Sequence, residues 1–462
     1  MPATQSISVQ QLSADVRGRV IGPTDAEYDR ARTIVAGGFD LRPAAIVRVA
    51  DASDVAHVVR VARETGAELA VRSGGHSNAA HGSTDGGIVI DLRDMKALEV
   101  DVAGRTAWAE AGLTAGEYTS AVAAHGLATG FGDTGTVGIG GITLGGGVGY
   151  LVRKHGLTID SLLAAEVVTA DSRILHVDAE TNPDLFWAIR GGGGNFGIAT
   201  RFRFRLHPIE QIVGGILVLP ATPDTIAGFM EAAEVAPEEL STIANVMNCP
   251  PIPFVPEEHH GSVVILAMLA YAGPVEDGER ALAPFRALAT PLADLLRPMP
   301  YPELFPPEGE EEYHPTAAAR TMFVERIGPP EAVLIHERLT SSDASMRVAQ
   351  LRVLGGAAAR VPVEATADAH RASRIMVNLA AFYDAPEDRP IREAWVESLA
   401  ADLHQGDSGA YVNFVGDEGE DGVRAAYPGP TYERLASVKR RYDPTNLFRR
   451  NQNVPPAEDV AG

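Results

Sequence analysis

The chain of 462 residues has a single cysteine, Cys249, so no intrachain disulfide is possible and nothing argues for an oxidising compartment. It has no apolar run approaching the ~20 residues that span a bilayer. Met1 to Val20 carries Asp15, Arg17 and Arg19 in place of an apolar stretch, so no secretory leader is read there and a cytoplasmic chain is expected. Basic residues are in the minority. A formal charge of −22 argues against nucleic acid or an anionic membrane as the main partner. Low-complexity tracts and internal repeats are also missing. What remains is an ordinary globular composition, 45% hydrophobic and 22% charged, long enough for a large core and more than one domain.

Several catalytic signatures are missing too. There is no G-x-x-x-x-G-K-[ST] phosphate loop, no G-x-S-x-G elbow and no H-E-x-x-H among the thirteen histidines. His259-His260 lies in a polar, proline-flanked stretch and reads as surface loop, so no metal site is expected. Two segments do match G-x-G-x-x-G, Gly130 to Gly135 and Gly192 to Gly197. A dinucleotide fingerprint needs a strand before it and a helix after it. Gly192 instead follows a helix and enters a strand, and Gly130 enters more glycine, so a nicotinamide dinucleotide site is not expected.

Glycine is what the first half has in excess. Gly130 to Gly149 holds ten glycines in twenty residues. Each loses more backbone entropy on folding than any other residue, so this density reads as backbone wrapped closely around something. The interleaved Val137, Ile139, Ile142, Leu144 and Val148 read as buried. Around this segment, Asp54 to Thr65 has helical spacing with Ser53 as expected N-cap and Gly66 as stop. Glu68 to Val71 reads as a strand entering Arg72-Ser73-Gly74-Gly75-His76-Ser77, and Ile88 to Leu92 as a second strand. Thr114 to Ala124 reads as a helix. Leu163 to Ala170 and Ile174 to Asp178 read as strands, and Pro183 to Arg190 as a helix leading into a second glycine cluster, Gly191 to Gly194. Ile198 to Leu206 alternates, with Phe202, Phe204 and Leu206 on one face and Arg201, Arg203 and Arg205 on the other. Beyond Pro208 the glycine clusters give way to proline-rich connections, Pro250-Pro251 and Pro306-Pro307. Strands near 263–270 and 348–354 alternate there with helices near 277–289 and 390–403. Residues 432–441 read as a last helix.

His76, at the end of a glycine loop, has two readings. It is a structural histidine, or its imidazole attacks the 8α-methyl of a flavin and becomes a tether. Taken together, R-S-G-G-H-S at 72–77, G-T-V-G-I-G-G-I-T-L-G-G-G-V-G at 135–149, N-P-D-L-F-W-A-I-R-G-G-G-G-N-F-G-I at 182–198, Y-V-N-F at 411–414, Y-D-P-T-N-L-F at 442–448 and N-Q-N at 451–453 resemble the FAD-linked oxidases of the vanillyl-alcohol oxidase (PCMH-type) superfamily, in its berberine bridge enzyme-like branch. The resemblance implies an α+β fold. A two-part FAD-binding domain, residues 1–209 and 411–462, would enclose a substrate-binding domain, 210–410, made of an antiparallel sheet covered by helices. It implies an enzyme that passes hydride from a small-molecule substrate (an alcohol, sugar or natural-product intermediate) to flavin N5, with molecular oxygen as acceptor and hydrogen peroxide as product. A dehydrogenase, a flavin-N5-oxide oxygenase, an amine oxidase and a noncatalytic FAD-binding protein are the alternatives, and both monomer and homodimer stay open.

The same resemblance assigns residues. His76 would carry FAD covalently, with Arg72, Ser73, Gly74, Gly75 and Ser77 holding the diphosphate through backbone amides. Bicovalent members have a cysteine where this chain has Thr134, so a mono-covalent FAD is implied. Thr136, Val137, Gly140, Gly141, Gly145, Gly146 and Gly147 would lie against flavin, ribityl and diphosphate. Ile198 would contact the adenine side and Asn451 the pyrimidine ring. Valine at 137 favours oxygen access, and it also reads simply as core. Tyr411 and Asn413 are expected on one face of a short strand, with Tyr411 activated below its ordinary pKa of ~10 as base. Phe414 stands where a second tyrosine is usual. Gln350, Arg352 and Leu354 share the strand face expected above the flavin. The absence of carboxylates there counts against an amine, and Arg352 suits an enolate, phenolate or carboxylate, or else it is an outward salt-bridge residue. His370, Arg371 and Tyr383 read as structural.

Overall fold

The computed structural model describes residues 9–209, 211–305 and 314–458, so the Pro306-Pro307 connection lies outside the described residues. After two short helices, Val9–Asp15 and Tyr28–Arg32, the helix expected from Asp54 runs from Ala52 to Thr65, starting two residues earlier. Its N-cap is Asp51 and not Ser53. The Asp51 carboxylate accepts the backbone N–H groups of Ser53 and Asp54, and an acidic side chain there also meets the positive helix end. Gly66, at φ 70°, closes the helix in the left-handed conformation that glycine adopts without strain. Val55, Val58, Val59 and Ala62 form its buried face.

This helix connects two parallel strands, Ala45–Arg48 and Leu69–Arg72, which flank Ile88–Asp91. Arg19–Ile21 adds an antiparallel edge. A second, five-stranded antiparallel sheet has the order Leu98–Asp101, Thr106–Glu110, Ile198–Arg205, Leu162–Val168, Ile174–Asp178. The alternation read in 198–206 holds: Phe202, Phe204 and Leu206 are buried, and Phe204 packs edge-on against Phe131 and Tyr118. On the other face Arg201 lies over the Trp108 ring.

One apolar cluster joins residues from Leu12 to Leu206 with residues from Ala410 to Val454. The helix Pro430–Tyr442 is tied to that cluster by a wholly buried ion pair, Lys439 to Asp443 at 2.7 Å. Lys439 Nζ also donates to the carbonyls of Asn195 and Phe448, so the second glycine cluster and the last segment share one cation. A separate cluster spans Val213 to Leu403. It is built on an eight-stranded antiparallel sheet that includes Ile212–Pro220, Leu240–Asn248, Val263–Tyr271, Ala317–Val324, Arg347–Val353 and Ile375–Phe382. Helices Pro223–Val235, Val275–Arg286, Pro329–Ser341 and Arg389–Leu403 bury their apolar faces on this sheet. The architecture is α+β. One stretch of the second half crosses back: Ala367 belongs to the first cluster, and its N–H donates to the Arg190 carbonyl. No helix among the described residues is long and apolar enough to cross a membrane.

The glycine-rich segment contains a short helix, Ile139–Leu144, and is no linker. Ile139 and Val148 are buried as expected, whereas Val137, Ile142 and Leu144 are half-buried. A two-residue strand, Leu127–Ala128, does precede Gly130, but the helix begins nine residues after Gly130 and the dinucleotide geometry is not formed.

Three histidines give the fold a pH dependence. His155 and His207 stack at 3.9 Å between ring centroids. Burial, with the neighbouring His207 and Lys154, pushes His155 down to about 3. Burial with Arg205 and Lys154 pushes His207 down to about 4, and burial with Arg450 pushes His81 down to about 4. These folded values lie below the unfolded value of about 6.5. The unfolded chain therefore binds more protons below that pH, and stability present above it is lost on acidification. The melting temperature is expected to drop as pH falls from 6.5 towards 4. A His155→Gln/His207→Gln variant should show a flatter profile in thermal denaturation.

Candidate active site

The strand Leu69–Arg72 delivers the chain into the 73–77 loop. The Arg72 guanidinium turns inward, to Asp91 at 2.8 Å and to the Ala31 and Thr33 carbonyls. This leaves the backbone of 73–77 as the part that faces outward. Gly75 has φ 75°, a left-handed turn, and Ser73 Oγ donates to the Ala111 carbonyl at 2.6 Å. The second glycine loop packs directly on the first. A Cβ on Gly74 would stand 2.3 Å from the Gly138 nitrogen, and one on Gly138 only 2.0 Å from Ser73 Oγ. Where the loops meet, His76 Nε2 and Thr136 Oγ1 are 3.0 Å apart.

These loops form one wall of a cleft of about 510 Å³, within the range of roughly 300–1,000 Å³ typical of ligand sites. The 72–77 loop, Val137, Gly140, Gly141, Gly145, Ile198 and Asn451 all line it, as do Gln350, Arg352, Tyr411 and Asn413. Gly146 and Gly147 are not among its lining residues. Their φ values of 116° and 82° turn the chain behind Tyr411, and the Gly147 N–H donates to Tyr411 Oη at 2.9 Å. Thr136 is likewise absent from the lining and reaches the site through His76.

Tyr411 and Asn413 are not on a strand. Residues 412–414 form a turn, with the Phe414 N–H bonded to the Tyr411 carbonyl. The two side chains nevertheless meet. Asn413 Nδ2 donates to Tyr411 Oη at 2.9 Å and to the Ile142 carbonyl at 3.2 Å. With the Gly147 and Val148 amides, three N–H groups converge on one phenolic oxygen. The expected activation runs the other way in this structure. Burial raises Tyr411 above its ordinary value, and the three donors pull it down only in part.

Above the cleft, Arg352 is no outward salt-bridge residue: it is 3% exposed. It pairs with Asp133 at 2.5 Å and donates to Gln350 Oε1 through Nε and Nη2. Gln350 Nε2 in turn donates to Asn245 Oδ1. Asp133 and Asn378 are cleft residues that the sequence reading missed. Each had a signal: Asp133 is the one charged residue in 130–149, and Asn378 interrupts the apolar run I-M-V-N-L-A-A-F. Arg450, also in the lining, is held by the Ala80 and Ser83 carbonyls. Arg371 pairs with Asp160, His370 stacks on Phe323, and Tyr383 packs at the edge of the second cluster, so all three serve packing.

The cleft fits a flavin nucleotide. A Cβ at Gly141 or Gly194 would meet nothing within 4 Å, so both glycines leave open room in a lining otherwise closely packed. Asn451 Nδ2 is bonded to the Gly194 and Phe448 carbonyls, while its buried Oδ1 has no partner among the described residues. An acceptor left bare in a cleft calls for a ligand N–H. A family profile described as FAD binding domain matches residues 43–178, covering both glycine loops, and one described as berberine and berberine like matches residues 410–455. (R)-6-Hydroxynicotine oxidase of Paenarthrobacter nicotinovorans is 30% identical over 455 residues, covering 96% of this chain and 97% of that one. The chain belongs to the berberine bridge enzyme-like FAD-linked oxidoreductases. An uncharacterised FAD-linked oxidoreductase of Bacillus subtilis, YgaK, is 31% identical over 452 residues, 95% of this chain and 97% of its own. The crystal structure of 6-hydroxy-D-nicotine oxidase from Arthrobacter nicotinovorans superposes with a TM-score of 0.85 at 28% identity, covering 96% and 98% of the two chains. A berberine bridge-like protein of Physcomitrella patens shares the fold with a TM-score of 0.86 at 23% identity, covering 98% of this chain and all of the other. This berberine bridge-like chain is thus an FAD-linked enzyme of PCMH-type fold.

Proposed function

We propose that this enzyme is an oxidase that carries FAD on His76 through a single bond and oxidises a small hydroxylated organic substrate, with molecular oxygen as acceptor. The observation that carries the reading is the place of His76, on the cleft wall where the two glycine loops touch. Thr134 lines the same cleft and offers no thiol for a second bond. When bound, FAD supplies the two-electron acceptor at N5 and the route to oxygen that yields hydrogen peroxide.

The chain's own residues bind and orient. Backbone amides of 73–77 and of 137–141, other than Ile139, whose N–H goes to the Leu113 carbonyl, would hold the diphosphate as anion-binding concavities do, and Asn451 Oδ1 would accept from a ring N–H. Val137, half-buried on the wall, leaves room for oxygen. Tyr411 Oη is assigned the substrate hydroxyl proton. Only its phenolate can take that proton, and the three N–H groups aimed at it stabilise that form in part against the burial that favours the neutral phenol. Amine oxidation is the second reading, favoured by the hydroxynicotine oxidase relative.

Flavin fluorescence on a denaturing gel is expected for the wild type and expected to vanish in His76→Ala. A dark wild-type band would remove the tether. Oxygen uptake with matching peroxide, screened over alcohols, sugars, amines and polyketides, is expected to respond to a hydroxylated class. Reduced enzyme that persists in air would make it a dehydrogenase instead.

A further inference from the structure

Charged side chains seldom face a buried site unless they are paired or used. Asp133 and Arg352 approach the cleft from different parts of the fold. Asp133 lies in the glycine-rich loop ahead of Ile139–Leu144, and Arg352 on the sheet strand Arg347–Val353. Their side chains, 18% and 4% exposed, meet at 2.5 Å. Gln350 Oε1 takes the Nε and Nη2 protons of Arg352, leaving Nη1 with one long contact, 3.4 Å to the Val148 carbonyl. Asn378 sits opposite Gln350 in the strand register. It lines the cleft with an Oδ1 that has no partner among the described residues. This part of the wall therefore carries one charge of each sign in contact, flanked by amides, with a donor and an acceptor to spare.

We propose that the Asp133–Arg352 pair is a charge lock that restricts this enzyme to uncharged substrates, with Asn378 Oδ1 taking a substrate hydroxyl. A substrate ammonium must displace Arg352 from Asp133, and a substrate carboxylate must displace Asp133 from Arg352. Either exchange leaves one buried charge without its partner, the costly outcome for an ion pair in a low-dielectric site. A neutral hydroxyl breaks no ion pair and satisfies an acceptor that is otherwise bare. The inference rests on the flavoenzyme reading above and adds the charge class of the substrate.

The test uses three probes of one shape and different charge, benzamide, benzoate and benzamidinium. Each is titrated into the purified flavoprotein while the flavin absorption band is followed. Wild type is expected to bind benzamide at least about tenfold more tightly than either ion. Arg352→Gln, which leaves Asp133 unpaired, is expected to gain at least about tenfold for benzamidinium, and Asp133→Asn to gain as much for benzoate. The double variant Asp133→Asn/Arg352→Gln, which holds no ion pair for a charged probe to break, is expected to narrow the preference for benzamide over both ions, an unchanged preference overturning the proposal, and it covers the case in which a single variant does not fold. Equal wild-type affinity for an ion and for benzamide, no binding of any probe included, overturns the proposal. So do folded single variants whose ion preference is unchanged. Flavin content is read first in every preparation. Its absence would fail the flavoenzyme reading alone, and calorimetry with the same probes would still decide the charge lock.

Discussion

Gly138→Val is expected to lose FAD altogether and to be destabilised by about 3 kcal/mol or more. The backbone at Gly138 is ordinary, with φ −69° and ψ 132°, so the demand for glycine is steric. An added Cβ would stand 2.0 Å from Ser73 Oγ and 2.2 Å from the Gly74 nitrogen. Neither can yield at low cost: Ser73 is bonded to the Ala111 carbonyl, and Gly74 is backbone. The two loops must part, and both are walls of the cleft. Gly141→Leu separates the two effects. Nothing lies within 4 Å of a Cβ there, so this variant is expected to melt near wild type while its flavin content falls, because the side chain enters the space assigned to the cofactor. Absorbance at the flavin band and a urea melt on both variants check the pair. Normal flavin content in Gly138→Val would refute the close loop contact.

Asp91→Ala carries the second large effect. Asp91 is fully buried, and its carboxylate holds Arg72 at 2.8 Å and Arg93 at 2.9 Å, with Arg48 at 3.8 Å. Removing it strands the buried Arg72 guanidinium, and breaking a buried pair from one side costs about 3–5 kcal/mol. Arg72 is also the anchor of the 73–77 loop, so flavin content should fall along with the urea midpoint. Burial alone would raise the Asp91 carboxyl, but Arg72 and Arg93 together hold it below its ordinary value. Its stabilising contribution is thus fully present above the unfolded value of about 3.9 and fades only as pH falls through the lower folded value. The difference between wild type and Asp91→Ala should therefore be the same at pH 7 and pH 5, although both proteins weaken over that interval through the histidines.

The elements of the first half that were read came from features that are local by nature, whereas the strands Arg19–Ile21, Ala45–Arg48, Leu98–Asp101 and Thr106–Glu110 went unread. Strands entering glycine loops, the alternation of 198–206 and the stop at Gly66 depend on neighbours a few residues away. Misreadings arose where two local solutions were equally good. Asp51 and Ser53 are both suitable caps, and the backbone chose the one whose carboxylate reaches two orphan N–H groups. Y-V-N-F alternates as a strand would, yet the Phe414 N–H closes onto the Tyr411 carbonyl, and a turn delivers the same two side chains to each other.

The glycine loops, the histidine between them and the family they mark were written in the order of residues, because phosphate-cradling backbone and its flanking strands are short-range structures. The charge character of the cleft was not. Arg352 and Asp133 are 219 residues apart, and Tyr411 takes the amide of a glycine 264 positions away. Only the packing of the sheet against the glycine-rich loop turned Arg352 from a free cation into half of a buried pair, and burial is a property of that packing and of no segment alone.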